Sequence, residues 1–176
     1  PMAQVHVDST LLKPQALILC PTRELAIQVG EECNRVAARR GVRVGAIYGG
    51  TALGPQITAL RNGLQLLAGT PGRVLDHIRR GNLDTSNITT LVLDECDEML
   101  SMGFLEDITA IVDSLPKERR TWLFSATIPD DIQRLSDRYL RDPERLFLSE
   151  DFVGVREIQH IYYLVSGGDR PGDLLR

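Results

Sequence analysis

Ile88-Thr89-Thr90-Leu91-Val92-Leu93-Asp94-Glu95-Cys96-Asp97-Glu98-Met99-Leu100-Ser101-Met102-Gly103-Phe104 is the stretch that decides the fold. Its opening is apolar and β-branched and ends abruptly in two adjacent acids. A continuous apolar run of this length, without polar alternation, is a strand covered on both faces, as in parallel sheets. On either side the pattern repeats. Ala16–Cys20, Val42–Tyr48, Leu64–Gly69, Arg120–Thr127 and Arg145–Ser149 also read as strands. Helix-length segments stand between them. One is expected over 23–40, with Thr22 as its cap, Gly41 as its stop, and Leu25, Ala26, Val29, Cys33, Val36 and Ala37 on one apolar face. Others are expected over 54–61, from Pro71 to a stop at Gly81 with Thr70 as cap, over 105–115 and over 130–140. Strand–helix alternation predicts an α/β domain of three layers, a mostly parallel sheet flanked by helices.

In such sheets ligands bind beyond the carboxyl ends of the strands. The unusual residues fall there: Pro21-Thr22-Arg23-Glu24 after the first strand, Gly49-Gly50 after the second, Thr70-Pro71-Gly72-Arg73 after the third, Asp94-Glu95 after the fourth and Ser125-Ala126-Thr127 after the fifth. Adjacent acids at a strand end point in different directions, so one can serve a metal and the other a nucleophile. Taken alone they equally describe a strand end or a helix cap. Ser125 and Thr127 can bridge a short gap by hydrogen bonds or cap the next helix. Thr22, Arg23, Thr70 and Arg73 sit at helix starts, where free N–H groups accept phosphate. Gly49 and Gly50 let a sugar–phosphate chain approach the backbone.

The bulk properties bound the reading. The chain has 176 residues, is 43% hydrophobic and 25% charged, and carries a net charge of −4. That describes one ordinary globular domain and excludes a generally basic nucleic-acid binder, though not a local basic surface. Four arginines between Arg35 and Arg43, and the pair Arg79–Arg80, read first as a solvated helix face. Cys20, Cys33 and Cys96 are odd in number and widely spaced, which argues against disulfides and zinc and for an intracellular, reducing compartment. His6, His77 and His160 are isolated, expected on the surface or in the core and not on a metal. No apolar run is long enough for a membrane span, and no leader peptide is visible.

Pro21-Thr22-Arg23-Glu24-Leu25, Gly49-Gly50, Thr70-Pro71-Gly72-Arg73, Asp94-Glu95-Cys96-Asp97 with its downstream Met99-Leu100-Ser101-Met102-Gly103-Phe104, and Ser125-Ala126-Thr127 occur in the order of the DEAD-box RNA helicase motifs. The chain therefore resembles the first RecA-like lobe of that family, with Cys96 where the family carries Ala, a DECD variant. The resemblance covers Ala16–Thr127 by motif and extends to about Ser149 by spacing. It implies ATP and Mg²⁺ as cofactors of the parent protein. Asp94 would hold Mg²⁺, generally through water, and Glu95 would polarise the attacking water. Asp97, Ser125 and Thr127 would couple hydrolysis to duplex opening. Pro21, Thr22, Arg23, Gly49, Gly50, Thr70, Pro71, Gly72 and Arg73 would grip RNA by its backbone with little sequence preference. Aromatics are only 5% of the chain, so base stacking is not expected to dominate.

The resemblance also marks what the sequence lacks. No GxxxxGK[ST] phosphate loop occurs, nor the family's glutamine motif, nor the second lobe with its arginine finger. The expected division is 1–154 as a partial first lobe and 155–176 as linker and start of the second. Loss of the strand that carries the loop is expected to leave a gap or an unpaired edge, open to self-association. Neither ATP nor Mg²⁺ is expected to bind this chain tightly, and alone it is expected not to hydrolyse ATP. The alternatives are a non-catalytic RNA-binding or adaptor module on the same fold, and a DNA-directed helicase.

Overall fold

The computed structural model describes residues 7–147. Five strands form one sheet: β1 (Ala16–Leu19), β2 (Val44–Ile47), β3 (Leu66–Gly69), β4 (Thr90–Leu93) and β5 (Arg120–Leu123). Their order is β2-β3-β1-β4-β5, and every neighbouring pair is parallel. The expected α/β architecture is observed, and the sheet is wholly parallel. Six helices alternate with the strands: α1 (Arg23–Ala37), α2 (Leu53–Arg61), α3 (Pro71–Arg79), α4 (Cys96–Ser101), α5 (Leu105–Ser114) and α6 (Asp130–Tyr139).

The two faces of the sheet are covered unequally. Leu17, Leu19, Leu67, Leu91 and Leu93 point into a large core closed by Val74 and Leu75 of α3, Met99 of α4, Ile108, Ile111 and Val112 of α5, and Ile132 and Leu135 of α6. Ala16, Ile18, Leu66, Ala68 and Val92 face the other way, against Ala26, Cys33 and Ala37 of α1. Successive strand residues alternate between these faces, so one apolar run feeds both cores. Central β1, β3 and β4 are buried throughout. The edge strands depart from the expected all-apolar burial: β2 is half-buried over three of its four residues, and β5 alternates exposed and half-buried. Edge strands are covered less, which is the physical reason. No gap interrupts the sheet; among the described residues β5 stands at its rim. Trp122, paired in register with Val92, and Phe124 are both exposed.

Most helix signals act as expected, but Val36, expected on the apolar face of α1, is exposed. The Thr22 hydroxyl accepts from the Leu25 N–H, capping α1. That helix tightens into a 3₁₀ turn over Ala38–Arg40 before Gly41, at φ 67°, ends it. Thr70 occupies the cap position of α3, but its hydroxyl makes no capping bond; Pro71 supplies the first-turn geometry unaided. Helix α4 is not foreseen in the sequence reading. It starts one residue beyond the acid pair, where no loop separates strand from helix. The expected strand at 145–149 is not a strand over residues 145–147; the rest of it lies outside the described residues, as does the expected boundary at 154.

By its internal contacts the chain divides into Pro1–Asp142 and Pro143–Arg176. No helix among the described residues is long and apolar enough to cross a membrane. The three cysteines are free and buried. Burial, with the nearby Asp94 and Glu95 carboxylates, pushes the Cys20 thiol up to about 12. Burial, with Asp97, does the same for Cys96, also to about 12. Both therefore stay protonated and unreactive. His77 is fully buried, in the core position that was one of its two expected settings.

Candidate functional site

Because all five strands are parallel, the five singled-out segments emerge at one rim of the sheet. The strand order sorts them into two adjoining halves, which the sequence does not reveal. The β2, β3 and β1 loops hold Gly49-Gly50, Thr70–Arg73 and Pro21–Arg23. The β4 and β5 loops hold the acids and Ser125–Thr127. The Asp94 N–H donates to the Leu19 carbonyl at 3.0 Å and stitches the halves together.

In the acidic half, Asp97 and the Ser125-Ala126-Thr127 segment form a closed ring of hydrogen bonds. The Asp97 N–H donates to Ser125 Oγ at 3.2 Å, and the Ser125 hydroxyl donates to the Thr127 carbonyl at 2.6 Å. The Thr127 N–H and hydroxyl both donate to Asp97 Oδ2 at 2.9 Å. Burial raises the Asp97 pKa, but hydrogen bonds from Thr127, Ser125 and the Ala126 backbone outweigh it and leave the carboxyl below its ordinary value. The Ser-Ala-Thr segment thus serves the acidic motif. Helix α6 begins behind Pro129 without a side-chain cap, so the capping alternative is not realised.

Asp94 is half-buried at the end of β4, and Glu95 is exposed. Glu95 has φ 49° and ψ 54°, a left-handed conformation that turns the chain from β4 into α4 within one residue. For a residue with a side chain this costs on the order of 1–2 kcal/mol. The strain sits in the backbone of the second residue of the acid pair. Glu95→Gly should therefore raise stability by about 1 kcal/mol in urea unfolding, while Glu95→Gln, which keeps the strain, should leave it near that of the unsubstituted chain. A glycine variant less stable than the glutamine variant would show that the backbone is not strained there.

No cluster of three or more His, Cys, Asp or Glu residues suited to a metal occurs among the described residues. Asp94 and Glu95 are adjacent oxygen donors, the ligand type that Mg²⁺ takes while keeping several of its waters.

In the other half, Arg23 is exposed and pairs with Glu24 at 3.0 Å. Its guanidinium lies 4.0 Å from where a side chain on Gly50 would begin. Gly50 is left-handed, at φ 77°, and nothing lies within 4 Å of where a Gly49 side chain would start. Arg73 is placed differently from an open ligand. Its two terminal nitrogens donate to the Thr51 carbonyl, each at 3.0 Å, and one also reaches Gln56 Oε1 at 3.3 Å. The Thr22 hydroxyl is committed to its helix cap, whereas the Thr70 hydroxyl has no partner among the described residues.

Gln56 organises this half and is absent from the expected site. It is buried, and all four of its hydrogen-bonding positions are filled. Its nitrogen donates to the Tyr48 carbonyl at 2.9 Å and to Thr51 Oγ1 at 3.0 Å. Its oxygen faces Arg73 and, at 2.9 Å, His77 Nε2. An oxygen facing a donor-only guanidinium fixes the amide orientation, so Nε2 of His77 must carry the proton. Nδ1 of His77 is buried without a partner. Burial, then Arg73, lowers the His77 pKa and keeps the ring neutral. A signal for Gln56 exists in the sequence: with Leu53, Ile57 and Leu60 it forms an i, i+3, i+4, i+7 stripe on α2, and it is the polar member.

A parallel sheet with all its chemistry on one rim is the RecA-like lobe. It matches the crystal structure of a DEAD box protein from Methanococcus jannaschii at TM-score 0.74 and 45% identity, over 77% of this chain and 37% of that one. The DEAD/DEAH box helicase family model matches residues 1–135, and the chain belongs to that family. It is 48% identical to the DEAD-box ATP-dependent RNA helicase CshA of Geobacillus kaustophilus over 161 residues, 92% of this chain and 34% of the relative. It is 43% identical to the ATP-dependent RNA helicase DeaD of Klebsiella pneumoniae over 172 residues, 97% of this chain and 27% of the relative. The chain thus spans about a third or less of these relatives' length.

Proposed function

We propose that this chain is first-lobe material of an ATP-dependent RNA helicase, supplying an acid pair for nucleotide chemistry and a backbone grip for RNA. The observation that carries the reading is the Asp97–Ser125–Thr127 ring, set beside the Leu19–Asp94 bond that joins the acidic half to the RNA half. A change at the acids has a bonded route to both the β5 loop and the β1 strand.

Asp94 is the residue that would hold Mg²⁺ through water, and Glu95 the one that would orient the attacking water. Bound Mg²⁺ would neutralise charge on the phosphates. Arg23 and the N–H groups that open α1 and α3 hold the RNA backbone together with the bare Gly49-Gly50 turn. Arg73 contributes mainly by holding Thr51 and the turn in place. Residues 155–176 would be linker and the start of the second lobe, and the parent works on RNA with little base preference, in a reducing compartment.

The chain contains no GxxxxGK[ST] sequence. Purified alone, it should bind single-stranded RNA weakly, with a logarithmic salt slope of roughly −0.7 per phosphate contact, and show no RNA-stimulated ATP turnover. Arg23→Ala with Arg73→Ala should weaken RNA binding at least tenfold. RNA-stimulated turnover by the chain alone, or unchanged RNA affinity in the double variant, would sink the assignment.

A further inference from the structure

Between Glu32 and Asp76 the sequence has no acidic residue and six arginines, in a chain whose net charge is −4. This stretch includes the end of α1, the 3₁₀ turn, β2, α2, β3 and the start of α3, and so builds the β2 flank of the sheet. Arg73 stands at the carboxyl rim, in the half already assigned to RNA. Four of the others gather at the opposite end: Arg39 and Arg40 in the 3₁₀ turn, Arg43 just before β2, and Arg61 closing α2.

The corner is built, not incidental. Gln65 is fully buried and holds Arg43 from both sides. Its Oε1 accepts the Arg43 N–H at 2.7 Å, and its own N–H donates to the Arg43 carbonyl at 3.0 Å. The Gln65 side-chain nitrogen donates to the Ser9 carbonyl at 3.1 Å. The Arg43 guanidinium donates to the carbonyl of Asn62, next to Arg61. Five exposed arginines have carboxylate partners: Arg35 with Glu32, Arg80 with Asp76, Arg134 with Asp131, Arg138 with Asp113 and Arg141 with Glu118. Arg79 and Arg120 are exposed without one, but each stands apart from the corner. Arg39, Arg40, Arg43 and Arg61 are exposed and have none among the described residues.

A groove lies between the two ends. It is a cavity of about 310 Å³ between β2 and α2, lined by Gly45, Ala46, Tyr48, Thr51, Ala59 and Leu64 among others. Tyr48 and Thr51 belong to the carboxyl-end loop, and Leu64 follows the Arg61–Gly63 turn. The lining carries no charge. Arg43 is six residues before Gly49, about 20 Å along an extended chain.

We propose that this arginine corner is a second RNA-backbone site, which takes the segment flanking the one gripped at the carboxyl rim, with the β2–α2 groove as the path between. The proposal rests on the RNA reading above. Guanidinium forks match phosphate oxygens in planar pairs, and arginines clustered without ion-pair partners concentrate positive field. Contact is to phosphate, so no base preference accompanies it.

The test uses the whole chain, a short oligouridylate that covers only the carboxyl rim and one about three times longer, in fluorescence anisotropy over a salt series. Arg39→Glu/Arg40→Glu/Arg61→Glu should weaken the long RNA at least tenfold and flatten its salt slope by about 2, the value for three lost phosphates. The short RNA should be unaffected, and so should thermal unfolding, since these side chains have no partners to lose. The matching Gln triple variant should fall between. Equal affinity of the triple variant and the unsubstituted chain for the long RNA overturns the proposal. So does equal loss on both RNAs, which would mean a general charge effect. Polyglutamate binding that the triple variant abolishes while long-RNA binding persists assigns the corner to acidic protein and also overturns it. Failure of the unsubstituted chain to bind either RNA removes the underlying reading and this one with it.

Discussion

Gln56→Leu should destabilise the chain by about 2–4 kcal/mol, read as a lower urea midpoint at unchanged slope. Leucine matches the size of glutamine and suits the apolar stripe of α2, so packing is not what is lost. What is lost are four hydrogen bonds at once. The Tyr48 carbonyl and the His77 Nε2–H are then both left without their Gln56 partner beside a buried, apolar side chain. Each orphaned group costs about 1–3 kcal/mol. Arg73 keeps its hold on the Thr51 carbonyl but loses the bond that steers it. RNA affinity should fall with stability even though Gln56 does not reach the rim.

Acid provides a second readout of the same network. An unfolded histidine titrates near about 6.5. The folded His77 has a lowered pKa, from burial first and Arg73 second. As pH falls below about 6.5 the unfolded chain therefore takes up a proton that the folded chain refuses, and stability drops. His77→Gln, which keeps a donor for Gln56, should flatten that slope. A Gln56→Leu change smaller than about 0.5 kcal/mol, with the acid slope intact in His77→Gln, would show that the network is decorative.

Gly69→Ala should cost about 2–3 kcal/mol, at the upper end for one added methyl in a packed interior. A Cβ there would lie 2.6 Å from the Ile47 carbonyl oxygen and 2.6 Å from Val74 Cγ2. Neither neighbour can retreat easily. The Ile47 carbonyl is held by the Thr70 N–H at 3.0 Å, and Val74 is fully buried. The glycine lets α3 close onto the end of β3, and so sets the height of Thr70 and Gly72 at the rim. Gly49→Ala is the contrasting variant. Its Cβ would meet nothing, so stability should hold while RNA binding weakens. Equal thermal stability of the two alanine variants would refute the packing account of Gly69.

The sheet, its parallel sense and the rim that carries the site were legible because each rests on a local pattern. Leu91-Val92-Leu93 has no polar alternation, and the glycine and threonine signals mark the ends of elements. Strand order was not legible. It depends on which cores α1 and the other helices can close, a property of the whole chain. The same holds for Asp97 with Thr127: thirty residues separate them, and only the adjacency of β4 and β5 brings them together. In sequence Arg73 looks like an open ligand, because its neighbours begin a helix. Its occupation by Thr51 follows from the return of the β2 loop over α3, which no spacing rule encodes. Helix α4 is not legible in the sequence because a strand-to-helix turn without a loop needs a left-handed Glu95, and residue type does not announce that conformation.

Trp122 on the rim strand β5 is the chain's sole tryptophan. It is 36% exposed, on the same face of the sheet as Val92 but outside the cluster that α1 closes. Indole emission shifts to the blue when water leaves the ring, so the protein carries a built-in optical reporter at this flank. The colour of its fluorescence, followed as concentration rises, reads directly whether that side of the sheet is wet or covered.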